Sequence, residues 1–453
     1  MFIEITGLQR QVLISLCIYI GQMMIGFTTS WAGSLFPKLE DSSQSPIPYK
    51  LTNTELSLVA SLIYIGALPG PYIMGWWSNV KGRKPCLIVG AVFLSLSYII
   101  LAASKNLAML YCGRLFSGIG IGIIGVMNLV YLGEIASTNI RGIILTNLGI
   151  FTTCGSILMF TVGSFLSYTA ATSVGVALCI VYTISVIFIP ESPIFHILQG
   201  EDEPVRKILL DLGRINDIDL LIATKNDFQN RTAKKDWLDL FRIRSNRKAL
   251  IIVVIANIFQ NLSGIITVVV YSGTIFKIAG SSIDSNIGMI VICFFQLLGS
   301  GLTPFFIERS GRKILMAVSS VVTSLSMLLL GLYFYFDHIG SSGMNNIKWL
   351  PLVILIIYFI AYDYGLGVIP NTLIGETFTT NVRSKGSAVA MTSSWIAGFV
   401  VTTIFGSLLN IIGLHVAFWF FSCSCAGAFM FTIFYIPETK GKSLLEIQKM
   451  IEN

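Results

Sequence analysis

The stretch Glu-Arg-Ser-Gly-Arg-Lys at residues 308–313 stands between two long apolar runs, and Asn-Val-Lys-Gly-Arg-Lys at residues 79–84 stands between two others. In both stretches a glycine is followed by an arginine and a lysine. The two halves of the 453-residue chain therefore repeat one pattern, which predicts two related structural units.

The composition around these stretches is that of a membrane protein. Hydrophobic residues make up 54% of the chain, charged residues only 12%, and the mean hydropathy is +0.78. A soluble chain carries about 25% charged residues, so a soluble enzyme, a secreted disulfide scaffold and a disordered protein are excluded. A span needs roughly 20 apolar residues, and twelve apolar segments can be drawn, at about 11–36, 55–77, 85–104, 108–132, 142–166, 171–189, 248–276, 286–307, 314–336, 348–374, 386–410 and 415–436.

These segments are expected to be helices, because backbone polar groups in lipid must be satisfied within the segment and the period-2 pattern of a barrel is absent. The fold class predicted is thus an all-α polytopic membrane protein with twelve transmembrane helices in two six-helix bundles. The expected domains are residues 1–189, a linker with short helices at 190–247, a second bundle at 248–436 and a tail at 437–453.

Basic residues predict the orientation. With both termini cytoplasmic, 24 of the 30 lysines and arginines fall in inside loops and tails, Arg114 falls in the fourth segment, and the outside loops hold Lys38, Lys50, Lys105, Lys277 and Lys348. This asymmetry is the positive-inside pattern. The first segment is long enough to span and no cleavage site follows it, so no signal peptide is expected.

No catalytic or cofactor site is expected. The eight cysteines lie in apolar runs without a Cys-x-x-Cys pair, which argues against a disulfide framework or a zinc site. The three histidines, at 196, 338 and 415, lie far apart in the sequence. The chain is therefore interpreted as a protein that is not an enzyme and has no bound cofactor.

Charged landmarks recur in both halves. Glu134 precedes Arg141 by seven residues as Glu376 precedes Arg383, and Pro-Glu follows the last segment of each half at residues 190–191 and 437–438. Ordinary positive-inside loops explain the basic residues but not the matching glutamates. We interpret the recurring glutamates and arginines as a cytoplasmic gate. Its acidic and basic side chains form ion pairs that break when the cytoplasmic helix ends separate. The candidate gate residues are Arg83, Glu134, Arg141, Glu191, Glu308, Arg312, Glu376, Arg383 and Glu438.

Together these motifs resemble the sugar porter family of the major facilitator superfamily. The short outer loops and the Gly149-Ile150 stretch of the fifth segment resemble its insect branch of facilitated trehalose transporter-like proteins. Further motifs that carry the resemblance are Tyr-Leu-Gly-Glu at 131–134, Gln-Asn-Leu-Ser-Gly at 260–264 and Pro-Glu-Thr-Lys-Gly at 437–441. The resemblance implies two six-helix bundles that rock around a central sugar site.

A sugar site needs amide and hydroxyl groups at mid-membrane depth and an aromatic face. Gln260 and Asn261 resemble the family's paired glutamines, and Gln296 and Trp395 stand where the family places an amide and a tryptophan. Intramembrane amides also join helices, so a structural role is the alternative for each, and Tyr271 is either gate or packing. The candidate substrate-binding residues are Gln260, Asn261, Gln296, Asn371, Trp395, Asp363 and Thr28.

Several positions depart from the family pattern. Gly149 stands where the family has a glutamine, Ile266 and Ser394 where it has asparagines, Asn371 where it has a tryptophan, and Ile194 where it has an arginine. Each lost buried hydrogen bond costs a ligand roughly 1–3 kcal/mol. The identity of the sugar, hexose or trehalose, is therefore open.

Asp363 leaves two transport modes open. An acid in a span is costly and points to function, and as a proton carrier it would make the protein a symporter. The proton-coupled members, however, carry their acid on the first segment, at the place of Thr28. We therefore expect facilitated diffusion of a small-molecule sugar by alternating access. The protein is expected to work as a monomer in the bilayer of the cell membrane, with no nucleic-acid partner. The alternatives are proton–sugar symport through Asp363 and a non-transporting nutrient sensor.

Overall fold

The computed structural model describes residues 6–41, 43–137, 140–218, 233–280, 284–340, 347–379, 382–442 and 444–452; within these, the side chains at 216, 233–236, 302–309, 407–412 and 444–445 are not described. Nearly all of the described backbone is helical. Before residue 190 the described helices are α1 (Gly7–Glu40), α2 (Asn53–Ala67), α3 (Gly70–Lys81), α4 (Arg83–Ala102), α5 (Leu107–Ile135), α6 (Arg141–Phe165) and α7 (Tyr168–Phe188).

The predicted linker carries short helices, α8 (Pro193–Gln199), α9 (Asp202–Asp211) and α10 (Ala233–Arg242), with a 3-10 turn at Ile215–Asp217. The second half follows as α11 (Arg244–Leu262), α12 (Ile265–Val270), α13 (Ser272–Ile278), α14 (Ser285–Ser310), α15 (Arg312–His338), α16 (Leu350–Tyr364), α17 (Ile369–Thr377), α18 (Arg383–Ile412) and α19 (Leu414–Tyr435), and the tail forms α20 (Leu444–Glu452).

Local sequence explains where several helices begin. At α1 the Thr6 hydroxyl accepts the Gln9 N–H while the Gln9 side chain accepts the Thr6 N–H, and Thr52 and Glu55 repeat this capping box at α2. The reversals before α4 and α15 are made at glycine: Gly82 has φ +101° and Gly311 has φ +86°, conformations that other residues rarely adopt.

The helices are apolar enough to span a membrane. Within the described residues, eleven helical runs are at least 18 residues long and apolar enough to cross, and α14 carries a shorter apolar run at Ser285–Gly301. The prediction of an all-helical membrane protein with about a dozen apolar helices is therefore confirmed. The structure adds that the segment at 248–276 is divided into α11, α12 and α13, and the segment at 348–374 into α16 and α17.

Glycines let neighbouring helices approach closely. A Cβ added at Gly26 of α1 would lie 1.8 Å from the Thr152 carbonyl oxygen of α6, and one added at Gly118 of α5 would lie 2.2 Å from the Ile63 carbonyl oxygen of α2. Small residues at helix contacts are typical of membrane bundles, where burial of apolar surface does not drive helices together.

The two halves meet where α2 packs against α18, α6 against α14, and α1 against α12 and α13. We call the end of the molecule that carries Arg83 and Arg312 the basic end. We call the opposite end, where α1 ends and α2 begins, the seal end.

Candidate functional site

Two broken helices of the second half meet at Gln260. The first break follows α11, where Gly264 has φ +91° and a Cβ would lie 2.6 Å from the Phe421 ring. The second lies between α16 and α17, at residues 365–368. The Gln260 amide Nε2 donates to the Gly367 carbonyl oxygen at 2.7 Å, so one buried side chain joins the end of α11 to the interruption before α17.

Asn261 extends this polar region toward α18. Its amide Nδ2 donates to the Ser394 hydroxyl at 2.7 Å and to the Asn257 carbonyl oxygen at 2.9 Å. Trp395, the next residue of α18, is half-buried against the main apolar core. The two predicted amides, consecutive on α11, thus bond to different elements: Gln260 to Gly367 before α17, and Asn261 to Ser394 of α18, next to Trp395.

Asp363 and Gln296 form a second polar group. The Ser300 hydroxyl of α14 donates to the Asp363 carboxylate at 2.6 Å, and the Gln296 side chain is a further hydrogen-bond partner of that carboxylate. A carboxylate in a span is stabilised by such donors. The pair therefore ties α14 to α16 beside the same interruption that Gln260 contacts.

The remaining two candidate substrate-binding residues, Asn371 and Thr28, differ in burial. Asn371, on α17, is exposed. Thr28 is fully buried: its hydroxyl donates to the Met24 carbonyl oxygen at 2.6 Å and lies 2.7 Å from the Tyr98 hydroxyl. In this structure Thr28 therefore packs inside the first bundle rather than lining open space.

A polar chain in the first half was not identified from the sequence. The Gln22 side-chain Nε2 donates to the Thr152 hydroxyl at 2.9 Å, and the Asn128 side-chain Nδ2 donates to Gln22 Oε1 at 3.2 Å. The Tyr182 hydroxyl donates to Asn128 Oδ1 at 3.2 Å. Four helices are joined in this way. The available signal was the presence of two amides, Gln22 and Asn128, within apolar segments.

At the basic end of the first half, one arginine and two glutamates form a compact network. Arg83 donates from Nη2 to Glu134 Oε1 at 2.8 Å and from Nε to Glu134 Oε2 at 3.0 Å, a bidentate pair. Ser192 also donates to Glu134. Glu191 accepts the backbone N–H groups of Arg83 at 2.9 Å and Lys84 at 3.2 Å, so it caps the start of α4.

The second half repeats this network residue for residue. Arg312 Nη2 lies 2.8 Å from Glu376 Oε1, and the Thr439 hydroxyl donates to Glu376 as Ser192 does to Glu134. Glu438 accepts the backbone N–H groups of Arg312 at 3.0 Å and Lys313 at 3.1 Å. Burial alone raises the pKa of Glu438, but the N–H groups of Lys440, Arg312 and Lys313 and the Arg312 charge outweigh burial and leave that pKa below its ordinary value.

Two predicted gate arginines have other partners. Arg141 Nη2 donates to the Ala136 carbonyl oxygen at 3.3 Å and Arg383 Nη2 to the Phe378 carbonyl oxygen at 3.4 Å, each within its own loop. Among the described residues the Nε of each is buried without a hydrogen bond. The side chain of Glu308 falls outside the described residues.

Each network stays within one half of the chain. At the basic end an aromatic contact joins the first half to the linker: the rings of Tyr72 on α3 and Trp237 on the linker helix α10 lie 6.4 Å apart and nearly parallel. Trp237 packs against the core of the second half. The linker thereby touches both halves.

Aromatic rings close the seal end. Tyr271 lies 6.1 Å from the Phe36 ring of α1 and 5.0 Å from the Phe405 ring of α18, and its hydroxyl donates to the Thr402 carbonyl oxygen at 3.4 Å. A Cβ at Gly33 would lie 2.0 Å from the Val269 carbonyl oxygen. The two halves are thus in direct contact there, and Tyr271 stands at their junction.

Comparison with known proteins agrees with this architecture. The sequence profile of the family described as "Sugar (and other) transporter" matches residues 14–451. The facilitated trehalose transporter Tret1 of Polypedilum vanderplanki is 31% identical over 97% of this chain and 87% of its own length. Tret1 of Aedes aegypti is 31% identical over 97% of this chain but 55% of its own length, so the chain spans about half the length of that relative.

Solved structures show the same fold. The proton:xylose symporter XylE bound to 6-bromo-6-deoxy-D-glucose superposes with a TM-score of 0.77 and 21% identity, covering 98% of this chain and 100% of that one. The partially occluded inward-open conformation of XylE from E. coli gives a TM-score of 0.78 at 20% identity, covering 96% and 99%.

Proposed function

The chain belongs to the sugar transporter family, and on that premise we propose that it carries a sugar across a membrane by alternating access. The observation that carries the proposal is the meeting of two broken helices at Gln260. Discontinuous helices at mid-membrane depth are where transporters of this kind place their substrate sites. The candidate sugars are trehalose, which the names of the Tret1 relatives give, and a hexose, which the resemblance of the motifs implies.

The amides supply the hydrogen bonds that a neutral sugar requires. Gln260 and Asn261 have their Nε2 and Nδ2 groups engaged with Gly367 and Ser394. A sugar hydroxyl that replaces such a partner exchanges one hydrogen bond for another at little net cost. Sugar entry would in this way be coupled to the two helix breaks, and Trp395 and Asn371 would contact the ring from α18 and α17.

Gly149 of α6 is exposed, and a Cβ added there would meet nothing within 4 Å. The sugar porter pattern that the motifs resemble has a glutamine at this position, so one hydrogen-bond partner of that pattern is missing here. This departure keeps both trehalose and a hexose as candidate sugars.

The contacts between the halves support this mechanism. The seal end is closed by Phe36, Tyr271 and Phe405, whereas the charge networks of the basic end stay within each half. In the proposed motion the two halves rock to open the seal, and neither network need break. We propose that Arg83, Glu134 and Glu191, with Arg312, Glu376 and Glu438, keep each half rigid at its basic end during that motion.

Facilitated diffusion remains the proposed mode. Thr28 cannot titrate, and Asp363 is already held by Ser300 and Gln296. The alternative, proton-coupled symport, rests on that same carboxylate, which lies beside the helix break where a proton and a sugar could compete for one hydrogen-bond network.

Counterflow in proteoliposomes tests the proposal. Labelled trehalose or glucose should accumulate against an internal pool of the same sugar, and a protonophore should not change the initial rate. Gln260→Ala should abolish flux and weaken sugar binding by about one to two powers of ten, since it removes one buried partner.

Asn257→Ala is the matched control, because Asn257 is a buried amide one turn earlier on α11. Among the described residues its Nδ2 donates only to the Val253 carbonyl oxygen of its own helix. Its flux should stay near wild type. Equal loss in both variants would show that Gln260 acts only in packing, and absence of counterflow for every sugar in the wild-type protein would refute transport itself.

A further inference from the structure

Two of the three histidines, far apart in the sequence, are neighbours in the fold. His338 ends α15 and His415 is the second residue of α19. Their ring centroids lie 5.6 Å apart with an interplanar angle of 29°. Both lie at the seal end, away from every candidate sugar-site or gate residue named above, so the sugar proposal assigns them no role.

The surroundings hold His415 in place. Its ring lies 5.5 Å from Trp419 and 5.7 Å from Tyr335, which contact each other at 5.6 Å. Gly413, with φ +86°, precedes it, and a Cβ there would lie 3.0 Å from the His415 ring. One imidazole is thus packed into a fixed aromatic corner while His338 is exposed to solvent.

The helices that carry the pair are also fixed relative to each other. A Cβ added at Gly331 of α15 would lie 2.4 Å from the Trp419 ring of α19, so the two helices are in close contact one to two turns from the pair. Both belong to the second half. The imidazoles are therefore held together without any rearrangement of the halves.

We propose that His338 and His415 form a binding site for a divalent transition-metal ion, with water completing the coordination. Two imidazoles that share one ion at metal–nitrogen distances of about 2.0–2.1 Å have their centroids roughly 5 Å apart, close to the observed spacing. Neutral imidazole suits Zn²⁺, Ni²⁺ and Cu²⁺. Among the described residues neither ring has a hydrogen bond or an ion pair, so the nitrogens of both imidazoles are available to a metal ion.

Cu²⁺ titration of purified, tag-free protein tests the site, because Cu²⁺ bound at His415 should quench the fluorescence of the adjacent Trp419. Wild-type protein should bind one Cu²⁺ per chain with saturable quenching. H338Q should lose affinity by more than about tenfold, since a chelate becomes a single ligand. His338 is exposed, so this variant should retain the wild-type fold.

H196Q is the matched control, because it removes the remaining histidine, which lies on α8 and contacts Glu201 at 2.8 Å. It should bind Cu²⁺ with the affinity of the wild type. Equilibrium dialysis against Zn²⁺ should show the same order of affinities, with H338Q weaker than both the wild type and H196Q. Unchanged affinity in H338Q, or an equal loss in H196Q, would overturn the proposal and assign the ion to cysteine or to another group.

Discussion

Replacing Gly82 by alanine should destabilise the protein through its backbone conformation and through one defined contact. Gly82 has φ +101° and ψ 167°, a conformation found almost only in glycine that costs another residue about 1–3 kcal/mol. A Cβ there would lie 2.3 Å from Glu191 Oε2. Displacing the carboxylate from the N–H groups of Arg83 and Lys84 costs roughly 1.5–3 kcal/mol for each hydrogen bond lost. With one bond lost the total is about 2.5–6 kcal/mol.

Gly75→Ala provides the control, because Gly75 lies on α3 just before Gly82 and a Cβ there would meet nothing within 4 Å. Alanine in a helix interior is favoured over glycine by about 0.5–1 kcal/mol. Thermal unfolding of purified protein in detergent should therefore move in opposite directions: down by several degrees in Gly82→Ala, and unchanged or up in Gly75→Ala.

A double-mutant cycle tests the mechanism. If Gly82→Ala acts by displacing Glu191, then adding Glu191→Ala should cost much less than Glu191→Ala costs alone, since the contact is already lost. Strict additivity, or equal shifts in Gly82→Ala and Gly75→Ala, would refute the capping role of Glu191. The repeat in the second half gives an independent trial, because a Cβ at Gly311 would lie 2.5 Å from Glu438 Oε2.

Three further predictions concern the gate and the transport mode. The folded-state pKa of Glu438 is lowered, so this carboxylate should stabilise the fold fully above its ordinary pKa of 4.5. That stabilisation should be lost as the pH falls through the lower folded-state pKa. Glu438→Gln should therefore flatten the plot of melting temperature against pH in that acidic window and leave its shape near pH 7 unchanged. A cysteine placed at Tyr72 should react with a soluble maleimide several-fold faster in Trp237→Ala, because the ring that covers this position is gone. Trp76→Ala is the control: it removes a 68% exposed ring from the same helix and should leave the reaction rate unchanged. Counterflow should be insensitive to a pH gradient in the wild-type protein and in Asp363→Asn. If a pH gradient instead drives uptake by the wild-type protein and Asp363→Asn abolishes that uptake, symport is favoured.

The repeated motifs predicted the positions of the charge networks but not all of their partners. The sequence places Arg83, Glu134 and Glu191 at the same end of one bundle because antiparallel helices return the chain there. It does not distinguish a side-chain pair from a carboxylate that accepts backbone N–H groups, since that choice depends on the φ angle of Gly82 and the last turn of α7. For this reason Glu191 was expected to pair with an arginine side chain, whereas in the structure it caps α4.

The candidate sugar site was predicted in part for similar reasons. Amides in apolar segments are visible in the sequence, and Gln260 and Asn261 are candidates for this reason. The interruption at residues 365–368, to which Gln260 is bonded, depends on contacts between helices: a Cβ at Gly365 would lie 2.4 Å from the Leu315 carbonyl oxygen of α15. Hydrophobic periodicity carries no information on such contacts between residues distant in sequence. The polar chain of Gln22, Asn128 and Tyr182 was missed because its members lie on helices far apart in the chain.

The division of contacts between and within the halves determines which parts of the protein can move. An Arg–carboxylate pair buried as deeply as Arg83–Glu134, with side-chain exposures of 5% and 16%, costs about 3–5 kcal/mol to break by removing one partner. Apolar ring contacts such as Phe36–Tyr271 are individually worth about 0.5–1.5 kcal/mol beyond their buried area, and they separate without leaving an unpaired charge. A transporter must open and close many times within a few kcal/mol. Charged pairs inside each half and rings between the halves meet that requirement in the proposed mechanism, because rocking would separate the weaker contacts and leave the stronger ones intact.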